Sequence, residues 1–394
     1  MTKFSNTFLG KRCPPLLLKG GRLLLRNSER KRVIREFHIR KAQDSLIKEQ
    51  FDPHNPNLIV YIVDGADWVT GREKISGGLL AIASLYDETK KLPEMASYQV
   101  ILLILDSCPL ILRHNEFENN ITTFRFSQIF SYFDNLQHLI INVPEMHVPM
   151  LPAELRKVGR KRLGAIKNLH VNIMNQNIQK MPGPEAVDAV KKFIPNVTMT
   201  TAHSRYCTQE MGSRYRVPMH HLSNFCGPEL YRRRSYAEKS NLLVASNDEH
   251  PMKAAILGAL QQKLPALQIQ IIQNMTYTQA KAANEKAKWG VTFGEGMDLY
   301  FLEAVFSGGI GFAVYNDEFF PTDCKALPTV FESYEQMLRE LPAMLEKLDN
   351  PAAFNECHNA MFDLLKTHNR YDEYLQRVRA FYQGKYDLPF QNGR

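Results

Sequence analysis

Two α/β units in tandem follow from three features of this 394-residue sequence. Short, fully apolar runs recur along the chain. Amphipathic stretches separate them. The pattern stops at a joint around residues 226–240 and then starts again. A short apolar run bounded by turn residues reads as a strand buried on both faces. Strands alternating with helices give a parallel sheet covered by helices on each side.

The first strand is residues 58–63, an uninterrupted apolar run between Pro56 and Asp64-Gly65. A loop follows, then Ser76-Gly77-Gly78, then a helix over 79–85. Further strands are expected at 100–105, 121–126, 138–143, 169–174 and 197–201. The joint carries Pro228 and the run Arg232-Arg233-Arg234. Beyond it the sequence predicts strands at 241–246, 267–272, 289–293 and 310–314, with helices at 252–263, 277–286 and 298–306. Residues 333–382 read as helix only. The organisation expected is a basic extension over 1–56, a first domain over 57–228 and a second over 229–370. Residues 371–394 would form a helix crossing back to the first domain.

Hydrophobic residues make up 44% and charged residues 23%, which excludes a disordered chain. The net charge of +8 is uneven. Residues 1–50 hold 13 Lys/Arg and 4 Asp/Glu, a net of +9, and the rest carries −1. A basic leader on a neutral body, without interleaved aromatics, argues against nucleic-acid binding. Its expected role is docking, to an anionic membrane surface or a partner enzyme. The six cysteines show no metal-ligand spacing and suit a reducing compartment. The leader's leucine triplets are broken by Lys19 and Arg22, so they form neither a secretory signal nor a span. A cytoplasmic protein, peripheral at the inner face of the membrane, is the expectation.

Doubly wound sheets bind ligands beyond the carboxyl ends of their strands. That focuses on residues 64–78, 175–182, 246–253 and 293–303. The strongest signal is Phe293-Gly294-Glu295-Gly296-Met297-Asp298, where a strand ends and a helix begins. Free N–H groups at such a helix start can hold phosphate oxygens. Glu303 follows Glu295 by eight residues, about two helical turns, on a similar face. Gly77 and Gly78 allow close backbone approach. Asp64 and Asp67 do not form the DxD of metal-bound carboxylates. His147, the pair His220-His221 and the basic run 156–162 read as packed or solvated groups.

The 293–309 segment resembles the E-x7-E region of retaining nucleotide-sugar glycosyltransferases of the GT-B class. That pattern reads roughly S-x-x-E-G-F-G-x-x-x-x-E-A-x-A-x-G-x-P-V. Glu295, Gly296, Glu303, Ala304 and Gly308 match it. Residues 201–224 resemble the family's entry to the interdomain linker. Residues 244–253 resemble its "vGRxxxxKg" strand and loop, and Gly77-Gly78 its N-terminal glycine loop. The likeness covers roughly residues 57–385. It implies two Rossmann-like domains facing a cleft, with C-terminal helices. It also implies retaining transfer of a hexose or deoxyhexose from a nucleotide-diphosphate sugar to a glycan, in surface-polysaccharide assembly. By this resemblance Glu295 faces the donor sugar and Lys253 neutralises the leaving diphosphate. Glu303 holds the ribose, Gly296 and Met297 the phosphates, and Asn247 and His250 assist. Ser76, Gly77, Gly78, Asn175 and Gln176 would contact the acceptor. No metal is implied.

The sequence departs from the pattern in named places. The arginine before Lys253 is missing from Ser246-Asn247-Asp248-Glu249-His250. Gly-Phe-Gly becomes Gly296-Met297-Asp298. An N-domain histidine is replaced by the amides Asn175-Gln176-Asn177. These departures motivate a second reading, a binding or scaffold protein on the same fold. A sugar-nucleotide epimerase is a third.

Overall fold

The computed structural model describes residues 27–67, 73, 77–113 and 121–389. The first sheet contains β1 (Asn57–Ile62), β2 (Gln99–Ile104), β3 (Thr123–Arg125), β4 (His138–Pro144), β5 (Asn168–Asn175), β6 (Val197–Thr201) and β7 (Met219–His221). Its order is β3-β2-β1-β4-β5-β6-β7 and every pairing is parallel. The order reverses between β1 and β4, which is the doubly wound switch point. The apolar run of β1 serves two cores. Leu58, Val60 and Ile62 enter one; Ile59, Tyr61 and Val63 enter the other. That is the period-two alternation of a strand covered on both faces.

The helices of this half are α1 (Asn27–Gln50), α2 (Gly77–Lys91), α3 (Phe126–Tyr132), α4 (Leu151–Val158), α5 (Arg160–Leu163), α6 (Pro184–Lys191) and α7 (Gln209–Tyr215). The first of these packs the second half of the basic extension onto the first domain. Residues 1–26 lie outside the described residues, but α1 is part of the domain. Its Gln43 and Ile47 are fully buried. Gln43 Nε2 donates to the Thr123 carbonyl at 2.9 Å, and Arg125 donates to Gln43 Oε1 at 2.8 Å. Arg125 also pairs with Asp44. The helix thereby covers the edge strand β3, whose free backbone would otherwise invite pairing.

The second sheet contains β8 (Ser240–Ala245), β9 (Gln268–Ile271), β10 (Ala287–Val291), β11 (Ile310–Val314) and β12 (Val330–Phe331), in the order β12-β11-β10-β8-β9. Its switch point lies between β8 and β10. The short strands β7 and β12 were not anticipated, because two or three residues give no measurable periodicity. Helices α8 (Lys253–Lys263), α9 (Tyr277–Lys286) and α10 (Leu299–Phe306) connect the strands. The expected helical stretch is three helices: α11 (Tyr334–Leu348), α12 (Pro351–His368) and α13 (Tyr371–Tyr382). The first two helices start at a capping side chain, while the start of α13 at Arg370 carries neither a side-chain cap nor a proline. Ser333 caps α11, and Asn350 caps α12 ahead of Pro351.

α13 returns to the first domain. Its Tyr374 and Val378 join the same core as Tyr61, and the Tyr382 and Tyr61 hydroxyls lie 2.5 Å apart. Among the described residues no helix is long and apolar enough to cross a membrane.

Candidate active site

The two switch points face each other across an interdomain cleft that is closed by direct contacts. Asn177, in the loop after β5, donates to the carboxylate of Glu295, in the turn before α10. Gln179 Nε2 donates to Glu318 Oε2 at 2.6 Å, and Arg205 Nη2 donates to the Phe320 carbonyl at 2.8 Å. A Cβ built on Gly77 would lie 3.4 Å from Leu299 Cδ1, so the start of α2 in the first domain touches α10 of the second.

One glycine shapes this turn and another the strand before it. Gly296 has φ +98°, and a Cβ there would lie 2.8 Å from the Val314 carbonyl and 2.5 Å from the Phe320 ring. No L side chain suits that backbone or that space. Gly290 in β10 lets α10 approach its strand: a Cβ would stand 2.4 Å from that of Ala304.

Glu295 and Glu303 part company here. Glu295 belongs to the turn, since α10 starts at Leu299, so the expected shared helical face does not exist. Glu295 is half-buried at the cleft. Burial holds its carboxyl above the usual range, while Lys180 and the Asn177 amide oppose the rise. Glu303 points into the second domain and is 4% exposed. Its Oε1 accepts from the Tyr231 and Tyr277 hydroxyls at 3.1 and 3.0 Å, and its Oε2 from Asn284 Nδ2 at 3.1 Å. Burial pushes Glu303 up to about 7, against those donors.

Lys253, the first residue of α8, donates to the carbonyls of Ser246 and Asp248 at 2.8 and 3.0 Å. Its ammonium also sits 5.7 Å from the centre of the Phe293 ring. A cation is therefore held at the carboxyl end of β8, beside the switch point. Asn247 is exposed on the same loop. His250 stacks on Tyr334 at 3.7 Å, and its Nδ1 accepts the Met252 N–H at 3.1 Å. Met297 packs against the second core.

In the first domain, Gln176 Nε2 donates to the Gly78 carbonyl at 3.0 Å, and its backbone N–H reaches Glu145 Oε2 at 3.2 Å. The amide loop is thus joined to the start of α2. Ser76 lies outside the described residues. Asn175 is 2% exposed and turns elsewhere. It lines a shallow recess with Gln176, Thr200, Ser223, Asn224 and Tyr374. Neither atom of its amide group has a hydrogen-bond partner.

Several groups at the site carried no signal in the sequence. Asn177 stood in a recognised amide loop, but its cross-domain partner is 118 positions away. Tyr231 and Tyr277 reach Glu303 from 72 and 26 positions away. His147 is packed rather than solvated: Nε2 lies 3.2 Å from Asp64 Oδ1, at the ends of β4 and β1. His220 is structural, bonded to the Arg377 carbonyl beyond β7 at 2.9 Å.

No protein-family model and no curated protein sequence matches the chain. Solved structures do. HepE from Anabaena, in complex with UDP-glucose, aligns over 83% of this chain and 99% of its own, with 11% identity and a TM-score of 0.53. The chain has the GT-B fold. The catalytic domain of starch synthase IV from Arabidopsis thaliana, bound to ADP and acarbose, aligns over 82% of this chain and 99% of its own, at 10% identity and a TM-score of 0.49. At 11% identity the HepE likeness fixes architecture alone, and what the GT-B cleft does must come from its own residues.

Proposed function

We propose that the chain transfers a sugar from a nucleotide-diphosphate donor to a glycan acceptor, with retention of configuration. The observation that carries this reading is the Asn177–Glu295 bond across the cleft. It sets a carboxylate of the second domain against the amide loop of the first, where the two switch points meet. A donor seated in the second domain would present its sugar to Glu295. An acceptor bound by Gly77, Gly78 and Gln176 would approach from the opposite wall.

The chemistry asked of the protein is stabilisation of charge on the departing diphosphate. A preorganised cation does this without reorganisation at the moment of reaction. Lys253 is that cation in this reading, and no metal is required. Its two carbonyl contacts fix it in place. Gly296 and Met297 would offer backbone N–H groups, with Asn247 and His250 at the rim. A role in surface-polysaccharide assembly rests on the family resemblance alone.

The test is release of nucleotide from a panel of UDP-, GDP-, ADP- and dTDP-sugars, with and without oligosaccharide acceptors. Turnover with one donor, lost in Glu295→Gln, supports the reading. Absence of turnover with every donor, together with tight binding of one of them, favours a binding protein on the same fold.

A further inference from the structure

The anchor points that would hold a nucleotide in the second domain are filled by the chain's own side chains. The start of α10 attracts anions because its first N–H groups lack helical partners. Asp298 sits on it. Its Oδ1 accepts the Phe301 N–H at 3.1 Å, and Thr292 Oγ1 donates to its Oδ2. Asp248 closes the same turn from the loop after β8. A Cβ built on Gly294 would lie 2.7 Å from Asp248 Oδ2 and 3.1 Å from Asp298 Oδ2. That Asp248 oxygen is buried and has no hydrogen-bond partner. Deeper along α10, the Tyr231 and Tyr277 hydroxyls share one oxygen of Glu303 and lie 3.2 Å from each other. Two adjacent hydroxyls on one carboxylate oxygen are what a vicinal diol would present.

We infer that the donor seat is self-occupied: Asp298 stands in for a phosphate and the Tyr231–Tyr277 hydroxyl pair for a ribose diol. A nucleotide sugar then binds only by displacing them. This rests on the nucleotide-sugar reading above and adds the regulation of that same seat.

An ionised Asp298 occupies the Phe301 N–H at the helix start and repels an incoming diphosphate. Protonation removes the repulsion, though not the steric occupancy. Burial pushes Asp298 up to about 7, with bonds from Thr292 and Phe301 opposing and the charges of Asp248 and Glu295 adding to the rise. Tyr300 of α10 and Tyr334 of α11 also face it. Lys253 of α8 is committed to the Ser246 and Asp248 carbonyls. Donor affinity therefore rises as pH falls through about 7. The limit for one linked proton is roughly tenfold per pH unit.

The experiment is calorimetry with UDP-glucose, whose diphosphate diester keeps its charge between about pH 6 and pH 8. The full chain is compared with Asp298→Asn and Tyr277→Phe. Asn caps helices about as well as Asp, so the fold is kept. The wild type is expected to bind several-fold more tightly at the lower pH. Asp298→Asn is expected to bind more tightly than wild type at the higher pH and to lose the pH slope. Tyr277→Phe, with one stand-in hydroxyl removed, is expected to bind several-fold more tightly at both. Binding by Asp298→Asn alone also supports the inference, and shows the wild-type seat to be shut. Equal affinities across all three chains and both pH values overturn it and leave the transferase reading standing. Absence of binding in all three chains, repeated with every donor of the panel above, overturns both.

Discussion

The side-chain amide of Asn177 bridges the two domains to the carboxylate of Glu295. The orientation of that amide is not free. Asn177 Oδ1 accepts the Gln179 N–H at 2.9 Å, so Nδ2 must face Glu295. One residue thus shapes the loop of the first domain and holds the carboxylate of the second.

Replacing Asn177 by Ala should lower turnover more than stability. A hydrogen bond to a charged group contributes about 1.5–3 kcal/mol, which is roughly 10–100-fold if it is made in the transition state. Asn177→Asp should be worse, since it sets two carboxylates together. Steady-state kinetics beside thermal melting checks this. An equal loss of melting temperature and activity would make the bond purely structural.

Lys253→Met removes the cation and keeps the apolar stem. Turnover should fall by roughly two to three orders of magnitude, the scale of losing one preorganised charge-stabilising group. Lys253→Arg should recover part of it. Single-turnover rates at saturating donor separate this from weakened binding. If both variants react like the wild type, the neutralising role is wrong.

Stability should fall as pH rises from about 5 to about 7. Glu303 and Asp298 are both held near 7 in the folded chain, and ordinary carboxyls unfold with values near 4. Between those limits the folded state keeps protons that the unfolded state has released, so raising pH favours unfolding. Each group contributes at most about 1.4 kcal/mol per pH unit. Urea denaturation at several pH values should show a shallower decline in Glu303→Gln and in Asp298→Asn. An unaltered slope in both variants would refute the assignment.

Gln43→Ala should destabilise the first domain by about 1–3 kcal/mol. It leaves the Thr123 carbonyl and part of the Arg125 guanidinium buried without a partner. Removing residues 1–50 should cause aggregation through the uncovered β3 edge. Urea midpoints and light scattering measure the two effects. A monodisperse, fully active truncated chain would show α1 to be dispensable.

Gly290→Ala should cost about 1–3 kcal/mol by overpacking β10 against α10. It should also disturb the turn that carries Glu295. Denaturation midpoints together with donor affinity report both.

Most of the scaffold was legible in the order of residues along the chain. Fully apolar runs such as 58–63 can only be strands buried on both faces, and the predicted helix at 277–286 coincides with α9. The Gly294–Gly296 turn and Lys253 were legible because strand, turn and helix follow one another locally. What only the tertiary structure decided is where each carboxylate points. Helical spacing put Glu295 and Glu303 on one face, but the helix begins at Leu299. Glu295 therefore turns to the cleft and Glu303 to a tyrosine pair. The basic leader was read from its charge, whereas the burial of Gln43 against Thr123 and Arg125 makes its second half a wall of the domain. Periodicity is a local property of the chain. The partners of Glu295, Glu303 and Gln43 lie between 19 and 118 positions away, and chain folding alone brings them into contact.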